Sequence, residues 1–594
     1  MSSKKTLTSY FIEVFSKLDP KEDIFFTKVQ DIYIGYSRGK LVSRVCSMIE
    51  ELRKLGLEKG DRVSIIASNR VEWVITDLAS MYLGLITVPI YTSLSTEQIK
   101  YILEDSGAKV CFIASSFITD KVLKIKNELP GLKAVISYDD FTEMERTQGV
   151  KYYSELIDES DHKKPSECFK ELEMLDKDIE EDELLTIIYT SGTTGEPKGV
   201  MLTHKNIFSN LESCQKILKI DKDDAFLSFL PYCHVYERTA GYYLALFTGA
   251  KVYYAQNIDT IAVQMPEVKP TIVMMVPRLL DKMYQKMLKR GEEMPDGLKK
   301  KIFKWGLKVA ETHRDKKSSL KWKLADKLVF SKIKERTGGR IRYFVSGGGA
   351  LNKKIGEFFE GVGISTLEGY GMTETSPVIS VTRPEKIIYG TVGKPLDGVM
   401  VDIAPDGEIL VKGDLVMKGY YKLPEETART VINGWMHTGD IGEFDADGNL
   451  KITDRKKSLF KTSGGKYVAP AQVEEVILRL NYLDQAVVLG NGRMYVTALL
   501  VPNYDELKSF AKKSGIEFKN EKDLRENKEL LKLMERDIKR IQAELGTHER
   551  VRKFTILENP MTVESGELTP TLKVKRKVVE DRYKDLIEEM YYEV

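Results

Sequence analysis

An alternation through roughly the first 350 residues restricts the fold most: a helix-patterned segment, then a short β-rich run, repeated. VITDLASMYLGL is followed by TVPIY, EQIKYILEDSG by KVCFIA, and MPEVK by TIVMMVP. Strands that alternate with helices pair in parallel through crossovers, so this stretch predicts an α/β fold with mostly parallel sheets. Between about 390 and 455 the texture changes to short strands with Asp-Gly turns, in MVDIAPDGEILVKG and IGEFDADGNLKITD. Such dipeptides mark hairpins and predict a small β-barrel-like unit. Beyond Asp454 come a loop, a helix opened by Pro470, the apolar strands QAVVLG and YVTALLVP, and a charged helical stretch from about 521 to 545. The expected organisation is a large N-terminal domain over 1–455, its β-rich subdomain at about 390–455, and a smaller α+β C-terminal domain over 456–594.

A length of 594 residues agrees with three or four folding units at about 150 residues each. With 91 Lys and Arg against 89 Asp and Glu, the surface as a whole is not built for nucleic acid, and no nucleic-acid partner is expected. Five scattered cysteines without a C-x-x-C pair indicate neither a zinc site nor a disulfide framework, which fits a reducing compartment. Glu13 and Lys17 interrupt the apolar run that a signal peptide needs, and the uncharged stretch Leu78 to Thr96 contains Gly84 and Pro89, so a cytoplasmic protein is expected. One region departs from neutrality. Within a basic helical insertion at about 290–342, residues 299–342 carry 16 Lys and Arg against 4 Asp and Glu, with apolar residues at helical spacing that include Trp305 and Trp322. It reads either as a solvated helical excursion or as a surface that attracts anionic lipid or an anionic ligand, and in the lipid case it would associate the protein with the cytoplasmic face of a membrane.

The sharpest chemical signal is YTSGTTGEPKGV, set between the apolar runs LLTII and VMLTH. Gly192, Gly195 and Gly199 let the backbone turn tightly, the hydroxyls of Ser191, Thr193 and Thr194 add donors, and Lys198 adds a positive charge. Together they describe a phosphate cradle that Thr190 opens, without the spacing of a Walker loop. A second motif, Gly35-Tyr-Ser37-Arg-Gly39, matches the nucleophile elbow of serine hydrolases, but only 34 residues precede it, too few for the strands such a fold places first.

The phosphate loop resembles that of the adenylate-forming superfamily of acyl-CoA synthetases, luciferases and peptide-synthetase adenylation domains. LPYCHVYER, SGGGAL, EGYGMTET, NGWMHTGD, ITDRKKSLFKTSGGKYVAP and GELTPTLKVKRK follow in that superfamily's order, and NGWMHTGDIGEF through DRKK is similar to the long-chain fatty-acid branch. The resemblance implies roles. Glu374, a hard oxygen ligand, and Ser191 would hold Mg2+. Tyr370, between Gly369 and Gly371, has the face to stack an adenine, with Gly348 and Glu368 also in the nucleotide site. Thr373 would face the α-phosphate, Asp440 and Arg455 the ribose hydroxyls, and Lys461 would join them. His234 would border the acyl site, and PYCHVYE lacks the Asp that amino-acid-adenylating domains place there, although Glu237 is close. Lys573, with Lys575 as the alternative, would meet the carboxylate and α-phosphate. Lys457 would be the hinge of a mobile C-terminal domain. The implied activity is ATP-dependent ligation of a medium- to long-chain fatty acid to coenzyme A through an acyl-adenylate. Two alternatives share these motifs: a ligase that passes the acyl group to a carrier protein, and a non-catalytic lipid-binding relative.

Overall fold

The computed structural model describes residues 4–140, 149–158, 163–190, 196–312, 317, 319–456, 459–562, 565–568 and 574–592. The chain divides into two compact units, one comprising 1–402, 410–437 and 444–451, the other 403–409, 438–443 and 452–594.

The first unit holds two large sheets. One has eight strands in the order Gly419–Tyr420, Lys198–Thr203, Leu184–Thr190, Ile86–Pro89, Arg62–Ile66, Ala108–Ile113, Ala134–Ser137 and Val150–Tyr152. From Leu184–Thr190 to Val150–Tyr152 its neighbours run parallel, while Lys198–Thr203 turns back antiparallel. The other sheet has nine strands, with Ser365–Gly371, Tyr343–Ser346, Ile272–Met275, Ala225–Ser228, Lys251–Tyr254 and Asp23–Val29 parallel in the middle. Central strands of both sheets are almost wholly apolar because helices cover their faces. Ile86–Pro89 and Ile272–Met275 are buried at every residue.

One continuous core lies on both sheets: Val63, Ile65, Phe112 and Ile188 of the eight-stranded sheet with Phe226, Val252, Ile272 and Leu367 of the nine-stranded one. The helix Val71–Tyr82 is mostly apolar and is buried on every face over ten residues, Trp73 to Tyr82. Such a helix belongs inside. Its one charged member there, Asp77, pairs with Arg238, which also donates to Thr87 and to Thr186 and Tyr243 at 2.8 and 2.9 Å. This buried knot ties the segment that carries His234 to strands Ile86–Pro89 and Leu184–Thr190 of the eight-stranded sheet. The two Asp-Gly dipeptides fall at the turns after Met400–Ile403 and after Trp435–Phe444, as their sequence predicts, within a five-stranded sheet.

In the second unit, Leu483–Leu489, Val496–Pro502 and Val551–Ile556 form a three-stranded sheet with a core on each face. Val488, Ala498 and Leu500 pack on one side with Val473 and Ile477 of the helix Pro470–Ile477. Val487, Leu489, Leu499 and Val501 pack on the other with Val579 and Ile587. The predicted long charged helix is interrupted: Asn527 accepts from the amides of Glu529 and Leu530 and starts a new helix, Lys528–Ile541, that buries Leu530, Met534 and Ile538. The Asn-capped start wins over a continuous helical pattern.

All five cysteines are free and buried. Ser37 accepts from the Lys40 amide at 3.2 Å and so caps the helix Arg38–Lys54, a structural use for the elbow-like motif. Among the described residues no helix is long and apolar enough to cross a membrane.

Candidate active site

Lys198 opens the strand Lys198–Thr203 opposite Thr190, the last residue of Leu184–Thr190. Gly199 is needed next to it: a Cβ there would come within 2.7 Å of the Ile187 side chain. The Lys198 ammonium donates to Glu426 Oε2 at 2.5 Å and lies 5.3 Å from the centre of the Tyr420 ring. The Lys198 hydrogen bond holds the Glu426 carboxyl below the usual carboxylate range. Tyr420 is set in place by pairing of Gly419–Tyr420 with Lys198–Thr203, and its hydroxyl donates to Glu374 Oε1 at 2.8 Å. Burial, with the Glu374 charge beside it, pushes the Tyr420 phenol up, so it stays a donor. Glu426, Lys198, Tyr420 and Glu374 thus form one connected line.

Glu374 sits in the single 3₁₀ turn Thr373–Thr375 after the strand Ser365–Gly371, and its side chain is buried. The turn must be tight: a Cβ on Gly371 would sit 1.7 Å from the Pro377 carbonyl oxygen. Glu374 offers a buried hard oxygen, the donor chemistry that fits a magnesium ion, although among the described residues no group of three or more His, Cys, Asp or Glu is gathered for a metal. Thr373, Gly369 and Tyr370 are half-buried, and Tyr370 pairs in register with Ser380. Glu368 is buried and accepts from the Leu351 amide at 2.8 Å, fixing the end of the SGGGAL loop. In that loop Gly348 has φ +80°, and a Cβ on Gly347 would come within 2.9 Å of the Tyr236 ring. Tyr236 in turn donates to the Val345 carbonyl at 2.7 Å and so joins the His234 segment to this loop.

His234 is half-buried, and its Nδ1 accepts from the Tyr236 amide at 3.1 Å. Three residues on, a seven-residue π-helix, Glu237–Tyr243, begins. Such turns are rare and concentrate at functional sites. Glu237 is buried against Gly241 and accepts from Ser228 Oγ at 2.6 Å. Burial pushes its carboxyl up to about 8, against the pull of the Ser228 hydroxyl, so it is mainly an uncharged acid at neutral pH. It therefore offers no charge to pair a substrate ammonium. Between about 4.5 and 8 the folded chain keeps a proton that the unfolded chain releases, so stability falls as pH rises through that window. Glu237→Gln, which matches the neutral acid in shape, is expected to fold normally and to flatten this slope in urea titrations at several pH values. An unchanged slope would show that Glu237 is ionised in the native protein.

In the second unit Arg455 Nε donates to Asp440 Oδ1 at 2.9 Å, and Asp440 is buried. Glu408 accepts from the Gly439 amide at 2.9 Å and from Lys456 at the same distance, which steadies the strand around Asp440. Burial raises the neighbouring Asp454 carboxyl to about 6. Lys461 is exposed, with its ammonium 5.4 Å from the centre of the Tyr467 ring. Lys575 precedes the helix Arg576–Arg582, and its amide donates to the Glu567 carbonyl at 2.8 Å. Ser191, Gly192, Thr193, Thr194, Gly195, Lys457 and Lys573 lie outside the described residues. Sequence reasoning missed Tyr420, Glu426, Tyr236 and Arg238. Arg238 stands inside a quoted motif, whereas Tyr420 and Glu426 lie in KGYYKLPEETA, a segment with no periodicity or motif to single them out.

A family model described as AMP-binding enzyme matches residues 19–421, and one described as AMP-binding enzyme C-terminal domain matches 458–594. The chain belongs to the AMP-binding enzyme family. Within this family of adenylate-forming enzymes it is 31% identical over 584 residues to a long-chain-fatty-acid–CoA ligase of Mycobacterium bovis, covering 96% of this chain and 95% of that one. It is 32% identical to long-chain-fatty-acid–CoA ligase 5 of Mus musculus, covering 96% and 89%. The fold is that of the adenylation domain of a carboxylate reductase from Mycobacterium chelonae, with TM-score 0.76, 21% identity and coverage of 99% of this chain and 91% of that one.

Proposed function

We propose that this family member ligates a medium- to long-chain fatty acid to coenzyme A in two half-reactions, with ATP as the driving substrate. The fatty carboxylate attacks the α-phosphorus of ATP to give acyl-adenylate and pyrophosphate. The thiol of coenzyme A then attacks the acyl carbon and expels AMP. The observation that carries the reading is the connected line Lys198–Tyr420–Glu374 at the end of the predicted phosphate cradle, in a chain whose relatives include named fatty-acid–CoA ligases.

No covalent enzyme intermediate is required, so the protein's contribution is positioning and charge compensation. Lys198 supplies positive charge to the phosphates, together with the backbone and hydroxyls of Thr190 to Gly195. Glu374, oriented by Tyr420, and Ser191 would hold Mg2+, which neutralises phosphate charge when bound. Tyr370 offers its ring to the adenine beside Gly348, Glu368 and Gly369, and Thr373 its hydroxyl to the α-phosphate. Asp440, held by Arg455, accepts from the ribose hydroxyls, with Lys461 near the same nucleotide. His234 borders the acyl chain, and the uncharged Glu237 keeps that wall suited to an apolar substrate. Lys573 completes the adenylation site, and the C-terminal domain, 456–594, changes half-reaction about Lys457. We also propose peripheral contact with an anionic membrane surface on the cytoplasmic side, where long acyl chains partition.

ATP–pyrophosphate exchange tests the first half-reaction. Exchange is expected to depend on added fatty acid, and coenzyme A is expected to accept the acyl group where a carrier protein does not. Exchange independent of any fatty acid would overturn the reading. For the division of labour, Lys573→Ala is expected to lose acyl-adenylate formation yet make thioester from supplied acyl-adenylate and coenzyme A. Lys457→Pro, which fixes φ near about −65° at the pivot, is expected to release pyrophosphate but stall before the thioester. Equal loss of both half-reactions in both variants would remove support for a pivot at Lys457.

A further inference from the structure

The basic insertion does not present the surface its composition suggests. Trp322, the obvious membrane anchor, points inward: its indole donates to the Gly361 carbonyl at 2.8 Å, and its ring packs with Phe330. Trp305 is likewise packed against the buried cluster of Val309, Ala310, Val329 and Phe330. Two of the lysines have internal partners, Lys317 with Glu360 and Lys334 with Asp326.

What faces outward is a row of leucines. The chain runs helically from Leu320–Ala325 through the π-turn Asp326–Phe330 to Ser331–Glu335. Ala325, Val329, Phe330 and Ile333 take the inner face. Leu320, Leu324 and Leu328, at i, i+4 and i+8, lie on the outer one and are 85, 51 and 38% exposed. A second apolar stripe on a helix whose first stripe is already buried has no role in the unit's own core. Around it stand Lys321, Lys323, Lys327 and Lys332, all exposed and in no ion pair among the described residues. Over 320–336 six basic residues meet only two acids, and one of these, Asp326, is occupied by Lys334.

We propose that Leu320, Leu324 and Leu328 form a docking ridge that enters the headgroup region of an anionic bilayer, with Lys321, Lys323 and Lys327 on the lipid phosphates. A short leucine stripe flanked by lysines has the pattern of an interfacial helix, and neither part suffices: three leucines bury little area, and lysines alone bind weakly and reversibly. Charge complementarity selects this occupant. A second copy of the chain would bring the same lysines against these. The inference rests on the peripheral membrane contact proposed above and gives it an address.

Flotation of the full chain with vesicles tests it, using phosphatidylglycerol mixed with phosphatidylcholine, and phosphatidylcholine alone. The wild type is expected to float with the anionic vesicles and to be released by salt. Combined Leu320→Ser, Leu324→Ser and Leu328→Ser is expected to lower the partition coefficient by about tenfold or more. Combined Lys321→Glu, Lys323→Glu and Lys327→Glu is expected to abolish the preference for the anionic vesicles. All six side chains are exposed, so unchanged melting temperatures and unchanged activity on a soluble short acid verify folding. If wild type floats and the serine variant floats equally well, the ridge is wrong while membrane contact stands. If wild type never floats, both fall. If instead light scattering shows the serine variant dissociating from a dimer, the stripe belongs to a second copy and the proposal is overturned.

Discussion

Lys198→Ala and Glu374→Gln are each expected to lose about 10²- to 10³-fold in the rate of acyl-adenylate formation at saturating MgATP. Lys198 would compensate charge on the phosphates directly, and Glu374 through the metal it would hold. The geometry makes the pair of variants informative. Glu374→Gln keeps an acceptor for the Tyr420 hydroxyl, which now bonds Oε1 at 2.8 Å, so the local packing survives and only the charge is lost. Lys198→Ala leaves Glu426 on the surface, where its side chain is 33% exposed and can turn to water. Tyr420→Phe separates orientation from charge: it removes the hydroxyl that donates to Glu374 and leaves every charge in place, and it is expected to cost far less. Near-wild-type adenylation by Lys198→Ala or Glu374→Gln would remove the assignment of this line as the phosphate and metal site.

Arg238→Met is expected to destabilise the first unit by about 3–5 kcal/mol, a large part of the about 5–15 kcal/mol that holds a typical domain together. The reason is what it leaves behind. Asp77 would keep a carboxylate in the interior with only hydroxyl donors left, Tyr243 at 2.8 Å and Thr87, and no positive charge. Burial already pushes the Asp77 carboxyl up while Arg238 pulls it down. Without the arginine the group takes up a proton on folding, so the destabilisation should be smaller in mild acid and grow as pH rises through the raised value. Adding Asp77→Asn to Arg238→Met should recover part of the loss, because no charge is then stranded. Guanidinium unfolding at two pH values reads all three effects, and a loss under about 1 kcal/mol with no dependence on pH would mean that the pair is not ionised as described.

The parallel sheets were legible because burial on both faces demands near-continuous apolar runs, and TIVMMVP and KVCFIA are such runs. The hairpins were legible from Asp-Gly. The inward packing of Trp305 and Trp322 was not, because a composition count registers tryptophan and lysine without saying which face each takes. The partners of the candidate site were hidden for a different reason. Lys198 and Glu426 are 228 residues apart, and Tyr420 reaches Glu374 across 46. Motif reading names the residue that does chemistry and is silent about the one that holds it, since the holder needs only the right place in the fold.

If Lys198 binds the phosphates as proposed, its ion pair with Glu426 bears on where that lysine spends its attraction. Because a carboxylate already satisfies the ammonium, an arriving phosphate oxygen merely replaces one anion with another, and the exchange is close to neutral for a substrate at rest. The gain appears only when the anion becomes richer in charge than the glutamate it displaced, as the phosphoryl group does while it is being attacked. The glutamate thus acts as a reference against which the lysine weighs its ligands, subtracting the same amount from ground state and transition state alike. A lysine so counterpoised contributes little to the affinity for ATP and much to its turnover, so the defect of Lys198→Ala belongs in kcat, with KM for ATP almost unmoved.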